Sequence, residues 1–243
     1  MKSYIITIDQ STSGTKVLLV DEQGIIVRKY TKEHTQYYPK PGWVEHDPQE
    51  IINRIYELVK QAKESLVEEE VKAVAITNQR ETAVLWDKNT KKAIYHAIVW
   101  QCRRSVSLCE KLKEEQKEEV VYQKTGLKLD PYFSASKWKW MLEEVQGAKE
   151  LAKEGRLLAG TMDAWLIYQL TQGQEYKTDV TNASRTLLYN IHDLKWDPDL
   201  VRIFGLEGIQ LPEVCDCNSY FGETDFNGIF EAKIPIYGVI GDS

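Results

Sequence analysis

The sequence predicts an α/β fold in which helices flank a central mixed sheet, and three observations carry that expectation. The chain opens on two apolar runs, Ile5, Ile6 and Ile8 and then residues 17–20, on either side of a small polar turn, which is the pattern of a β-hairpin. Ile51, Ile55, Leu58, Val59, Ala62 and Leu66 then recur at helical spacing, giving one apolar stripe that can lie on a sheet. Residues 71–76 (VKAVAI) follow as a short apolar run of the kind that makes a buried strand.

Composition bounds the function. The chain has 243 residues, 42% hydrophobic and 28% charged, enough for one large or two small domains with a core. A net charge of -6 gives no basic face for nucleic acid. No window is apolar enough to span a bilayer, and MKSYIITIDQ lacks the basic start, long apolar run and small-residue cleavage site of a signal peptide. A cytoplasmic protein is expected, with neither nucleic acid nor membrane as partner. Cys102 and Cys109 lie seven apart, Cys215 and Cys217 two apart. Neither spacing is that of paired zinc ligands, so reduced, structural thiols are expected.

Taken in order, the first strand ends on Asp9 and enters the turn Gln10-Ser11-Thr12-Ser13-Gly14-Thr15-Lys16. Backbone N–H groups of such a turn can converge on an anion, the hydroxyls of Thr12, Ser13 and Thr15 add donors, and Lys16 adds charge. That suits a phosphate, with Asp9 beside it to hold a hydrated Mg²⁺; it suits equally an ordinary polar hairpin with a solvated aspartate. Gly24 turns the chain into a third strand over residues 25–30, completing an antiparallel meander. The loop over residues 36–48, broken by Pro39, Pro41 and Gly42, carries aromatics that either pack on the domain or line a cleft. Asp47 as N-cap, Pro48 at the first helical position and Glu50 as a capping-box partner open the helix. Glu68, Glu69 and Glu70 make a solvated turn.

The strand over residues 71–76 runs into Thr77-Asn78-Gln79-Arg80-Glu81, at the strand end where α/β proteins put ligands. Arg80 and Glu81 can bind vicinal hydroxyls as donor and acceptor, or form a surface ion pair. The chain returns as a strand over residues 82–86. A short strand over residues 97–100 leads into Gln101-Cys102-Arg103-Arg104, and one helix is expected from about Ser105, with Leu108 and Leu112 inside and the charged stretch 110–119 outside. Gly126 breaks that pattern. A helix over residues 134–145 puts Trp138, Met141, Leu142 and Val145 on one face and Trp140 off it. Tyr132, in the loop before it, either closes over a small ligand or packs. Residues 161–170 read as a helix, 182–185 as a polar turn and 197–204 as a short capped helix. Residues 234–240 form an apolar strand that delivers Gly241-Asp242-Ser243, and a chain stopping there is expected to be truncated or an incomplete gene product.

Together DQSTSGTK, YPKPGWVEHDP, TNQRE, AIVWQCRR, DPYFSASK, GTMDAWL, TNASRT and IPIYGVIGD, in that order over residues 4–242, resemble the N-terminal domain of the FGGY carbohydrate kinases, and among them the glycerol kinase branch. The resemblance implies a ribonuclease-H-like (actin-like ATPase) fold. Residues 1–243 would be the polyol-binding domain, with a C-terminal ATP lobe outside this chain. It implies ATP-dependent phosphorylation of a terminal hydroxyl of glycerol to glycerol 3-phosphate, with ATP and Mg²⁺ as cofactors, an inactive isolated fragment and a full-length protein of a kind that often forms dimers or tetramers.

Residue by residue, it implies Arg80, Glu81 and Tyr132 on the polyol hydroxyls, Trp100 on its carbon face and Asp242 as acceptor of the attacking hydroxyl's proton. Thr12, Ser13 and Lys16 would meet the nucleotide phosphates, and Asp9 with Asp242 would hold Mg²⁺. Phosphoryl transfer asks a protein chiefly for such positioning and charge neutralisation. The alternatives are an FGGY kinase for another polyol or a ketose such as a pentulose, and a non-catalytic sugar-binding module. Three positions depart from the family's pattern. Ser11 stands where the turn usually has Gly, so cradling a phosphate there would require of Ser11 a backbone geometry that glycine takes more easily; Lys16 stands for the frequent Arg, and Ser243 for Gln.

Overall fold

The computed structural model describes residues 2–66 and 70–243. Alternate burial organises its central sheet. β1 (Ser3–Gln10) buries Tyr4, Ile6, Ile8 and Gln10, leaving Ile5, Thr7 and Asp9 on the other face. β2 (Gly14–Asp21) buries Thr15, Val17 and Leu19 in the matching register, and β3 (Ile26–Glu33) completes the antiparallel meander. After β4 (Glu45–His46), α1 (Pro48–Glu64) lays Ile51, Ile52, Ile55, Leu58, Val59 and Ala62 on the Ile6–Ile8 face. Each of these Ile, Leu and Val side chains contributes about 1.5–3 kcal/mol on burial. Asp47 caps α1 by accepting from Gln49 N–H at 2.8 Å.

The capping box does not close: the Glu50 carboxylate accepts from Thr35 N–H and Arg54 instead of reaching back to Asp47. Leu66 lies beyond the end of α1. Glu68 and Glu69 of the expected acidic turn lie outside the described residues, while Glu70 opens β5 (Glu70–Asn78).

β6 (Val84–Asp87) and β7 (Ala97–Ile98) follow, and then the expected single helix becomes two, α2 (Val106–Glu114) and α3 (Glu118–Thr125). Gln116 takes φ +58° between them, and Lys117 N–H bonds back to Leu112 O, a Schellman turn that ends α2. Gly126, at φ +71°, ends α3 in the same left-handed region.

The rest of the chain runs α4 (Ser134–Glu144), α5 (Ala148–Lys153), β8 (Leu157–Gly160), α6 (Met162–Leu170), β9 (Lys177–Asp179), α7 (Val180–Ala183), β10 (Tyr189–Asn190), β11 (Lys195–Trp196), α8 (Pro198–Ile203), β12 (Glu213–Cys215), β13 (Tyr220–Thr224) and β14 (Ile234–Gly241). The stretch read as a polar turn at 182–185 thus comprises the last two residues of α7 and the two beyond its end. The main sheet has the order β13-β14-β5-β1-β2-β3, mixed in direction: β1, β5 and β14 are parallel neighbours and the remaining pairs antiparallel. One hydrophobic cluster joins this sheet to α1 and α6; a second gathers around α4, β6, β8 and α8.

Of the aromatics of the 36–48 loop, Trp43 and Tyr37 pack, Trp43 under the Arg104 guanidinium at 3.9 Å and edge-on to Trp140, Tyr37 against His96 at 4.7 Å, whereas Tyr38 is exposed. All four cysteines are free thiols. No helix among the described residues is long and apolar enough to cross a membrane.

Candidate functional site

Three parallel strands end together. Asp9 lies beside Thr77 and Gln10 beside Asn78, while Gly241 lies beside Asn78 on its other flank. Gln79 N–H donates to Gln10 O at 2.8 Å and Asp242 N–H to Asn78 O at 3.0 Å. The register therefore delivers Asp9, the 79–81 turn and Asp242 to one edge of the sheet, although Asp9 and Asp242 are at opposite ends of the sequence.

At the hairpin tip, Asp9 and Lys16 are directly opposed, so their side chains share a face. Lys16 Nζ donates to Asp9 Oδ2 and Ser11 Oγ donates to Asp9 Oδ1, both at 2.7 Å. Ser11 is not among the residues with positive φ, so the expected glycine-like backbone is not present there; its hydroxyl steadies Asp9 instead. The close approach falls one turn later, where a Cβ on Gly14 would sit 2.8 Å from Lys32 O. Ser13 is exposed, and Thr12 Oγ1 accepts from Trp100 Nε1 at 3.0 Å. Thr15 corrects its sequence reading. It is fully buried on the face of β2 opposite Asp9 and Lys16, and is no donor at the tip.

In the turn beyond β5, Glu81 takes φ +62° and is 2% exposed. A buried carboxylate on a left-handed, non-glycine backbone stores strain of the kind found at ligand sites. Arg185 Nε donates to Glu81 Oε1 at 2.7 Å, and the Arg185 guanidinium lies over the Phe133 ring at 4.9 Å. Trp100 and Tyr132 meet edge to face at 5.5 Å. Lys137 Nζ, fully buried, donates to the carbonyls of Pro131, Tyr132 and Phe133 at 2.5–2.9 Å and so clamps the loop that presents Tyr132. Arg80 Nη2 donates to Ser243 Oγ at 2.9 Å, and its Cγ and Cδ fill the space a Cβ on Gly241 would need. The surface ion pair between Arg80 and Glu81 does not form; each has its own partner.

Residues 4–243 match the N-terminal domain of the FGGY family of carbohydrate kinases. The chain belongs to that family. It is 52% identical over 242 residues to glycerol kinase 1 of Thermotoga maritima, covering 99% of this chain and 49% of that protein. Among solved structures it superposes on Plasmodium falciparum glycerol kinase with ADP at a TM-score of 0.93 and 38% identity, over 99% of this chain and 49% of that one. A gluconate kinase from Lactobacillus acidophilus, at 21% identity and TM-score 0.88 over 100% of this chain and 48% of that one, shares the fold. The chain spans about half the length of the curated relatives it matches. The mixed sheet with its helices is the actin-like, ribonuclease-H-like arrangement of these kinases.

Arg185 was not singled out by the sequence. It sits in TNASRT, and an arginine among short polar residues was the sole signal. The electrostatics centre on Asp242, an exposed residue at the rim. Partial desolvation pushes its carboxyl up, Arg80 opposes that, and the neighbouring Asp9 adds to it. Asp9 and Asp242, two carboxylates that interact at the strand ends, are of the ligand type a hydrated Mg²⁺ takes. Among the described residues no group of three His, Cys, Asp or Glu side chains gathers, so such an ion would complete its shell with water and ligand oxygens.

Proposed function

We propose that this chain is the polyol-binding half of a kinase that transfers the γ-phosphoryl group of ATP to a terminal hydroxyl of glycerol, giving glycerol 3-phosphate. The observation that carries the reading is Glu81: buried, left-handed and oriented by Arg185, beside Arg80 and on the sheet edge that ends in Asp242. In this reading Arg80 donates to and Glu81 accepts from adjacent hydroxyls. Tyr132 adds a hydroxyl contact and Trp100 covers the carbon chain, which leaves one end of a small polyol facing Asp242. Asp242 accepts the proton of that hydroxyl as its oxygen attacks phosphorus, and a raised pKa makes its carboxylate a better base.

Thr12, Ser13 and Lys16 neutralise and orient the phosphates. Asp9 and Asp242 would hold Mg²⁺, which spreads charge away from the transferring group. The base of ATP, the second half of the protein, a cytoplasmic setting and homo-oligomer formation all belong to the same reading. A ketose such as a pentulose is the second substrate class, favoured by Ser243, whose short side chain rests on Arg80.

Calorimetric titration of the folded chain with glycerol tests the proposal. Heat of binding at millimolar glycerol, absent with a pentulose, is expected. A sample folded by circular dichroism that takes up no glycerol refutes the reading, and binding of a pentulose alone moves it to the second class.

A further inference from the structure

We infer that Asp179, acting through Thr181, Asn182 and Asn78, is a positioning residue that fixes where Asp242 stands; the inference rests on the function proposed above. Asp242 is exposed, and its backbone is fixed at the strand end by two hydrogen bonds. Gly241 N–H donates to Thr181 Oγ1 at 2.8 Å, and Asp242 N–H donates to Asn78 O at 3.0 Å. Both acceptors lead back to Asp179. The Thr181 hydroxyl donates to Asp179 Oδ2 at 2.6 Å, which turns its lone pairs towards Gly241. Asn182 Nδ2 donates to Asp179 Oδ1 at 2.6 Å and to Asn78 Oδ1 at 3.0 Å. Asn78 Nδ2 answers with bonds to Asn182 Oδ1 and to Gln79 O, both at 2.9 Å.

Every polar side-chain hydrogen in this network has one acceptor. Because Asp179 accepts throughout, the nitrogen of Asn182 faces it, and that choice sets the orientation of Asn78 in turn. Asn78, Asp179 and Asn182 are all fully buried. Burying three polar side chains costs stability that an apolar core would not, so packing alone does not account for them. Asp179 has no Lys or Arg partner among the described ion pairs; its carboxylate accepts from α7 and from Cys217 Sγ–H at 3.2 Å. α7 is one turn of helix that grips the end of β14, and Asp179 is its N-cap. The same network reaches Gln79 O, next to Arg80 and Glu81, so one buried carboxylate orders both sides of the polyol site proposed above.

The test uses Thr181→Val, which removes the acceptor for Gly241 N–H at nearly constant volume, with Thr181→Ser as the conservative rescue and Asp179→Asn as the upstream change. Amide hydrogen exchange read residue by residue needs no ligand: the Gly241 and Asp242 amides should exchange at least tenfold faster in Thr181→Val and return to the wild-type rate in Thr181→Ser. Glycerol affinity, by calorimetry on samples folded by circular dichroism, should fall about tenfold in Thr181→Val and stay within twofold of wild type in Thr181→Ser. Unaltered exchange at 241–242 in Thr181→Val overturns the inference whether or not glycerol binds. Altered exchange with unaltered glycerol affinity overturns it as well. A wild-type chain that binds no glycerol, with the exchange result as expected, refutes the function proposed above and leaves the placement of Asp242 standing. If Asp179→Asn does not fold, the Thr181 pair decides.

Discussion

Removing the Arg185 guanidinium should expose what the buried Glu81 carboxylate costs. The Glu81 side chain is 3% exposed and that of Arg185 27%. Taking away one partner of a fully buried ion pair costs about 3–5 kcal/mol, and because the partly exposed Arg185 leaves a space that water reaches, Arg185→Ala falls below that range, to about 2–3 kcal/mol. Losing the contact with the Phe133 ring adds about 0.5–1 kcal/mol. Urea unfolding at pH 7 followed by tryptophan fluorescence should thus show a loss of about 3 kcal/mol at constant m-value. Glu81→Gln in the same background replaces an unpaired charge by an amide and should recover about 1–2 kcal/mol. The Phe133 contact cancels in this double-mutant cycle. A loss below about 1 kcal/mol in Arg185→Ala, or a double variant that loses the sum of the single changes, refutes the assignment of Arg185 as the partner that holds Glu81.

Three further outcomes are expected. Burial, with Asp179 adjacent, pushes the Asp163 carboxyl up, so the folded chain keeps a proton that the unfolded chain releases near pH 4, and this group's contribution makes stability fall as pH rises above that point. Asp163→Asn should therefore gain on wild type between pH 4 and pH 8 in urea melts, and a constant difference refutes it. Burial, then the charges of His34 and His96, pull the His46 imidazole down to about 3. The unfolded chain takes up that proton near pH 6.5, so stability falls as pH drops from there, and His46→Gln should lose less between pH 7 and pH 4; equal slopes count against the argument. Ser11→Gly would be neutral if the turn wanted glycine. Because Ser11 Oγ donates to Asp9, it should instead cost about 0.5–1.5 kcal/mol in the same melts, and a gain in stability would show that backbone freedom outweighs the hydrogen bond.

The first hairpin, α1 and β5 were legible because their signals are local: period two in Ile6, Ile8 and Val17, period 3.6 in α1, an apolar run in β5. The polar ends of those strands were legible for the same reason, since Asp9, Arg80 and Asp242 each follow an apolar run. What escaped depends on partners distant in sequence. Arg185 meets Glu81 across 104 residues, and nothing near either position announces the contact. Left-handed backbone at Glu81 and Gln116 carries no glycine or asparagine to mark it, so the tightest turn of the site and the break between α2 and α3 were both hidden. Lys137 looks like a helix-surface lysine; only the preceding loop, folding back over it, turns it into a buried clamp. Thr15 reads as a donor beside Ser13, yet strand alternation points it the other way.

Gly241 has no side chain for a reason that belongs to another residue: the stem of Arg80 occupies its place. Positions 80 and 241 therefore cannot drift separately. A larger residue at 241 tips the guanidinium off the strand ends, and a smaller residue at 80 frees the space only by discarding the charge that made it valuable. For a lineage or an engineer seeking to widen the space at these strand ends, the pair works as a latch that closes the shortest mutational route.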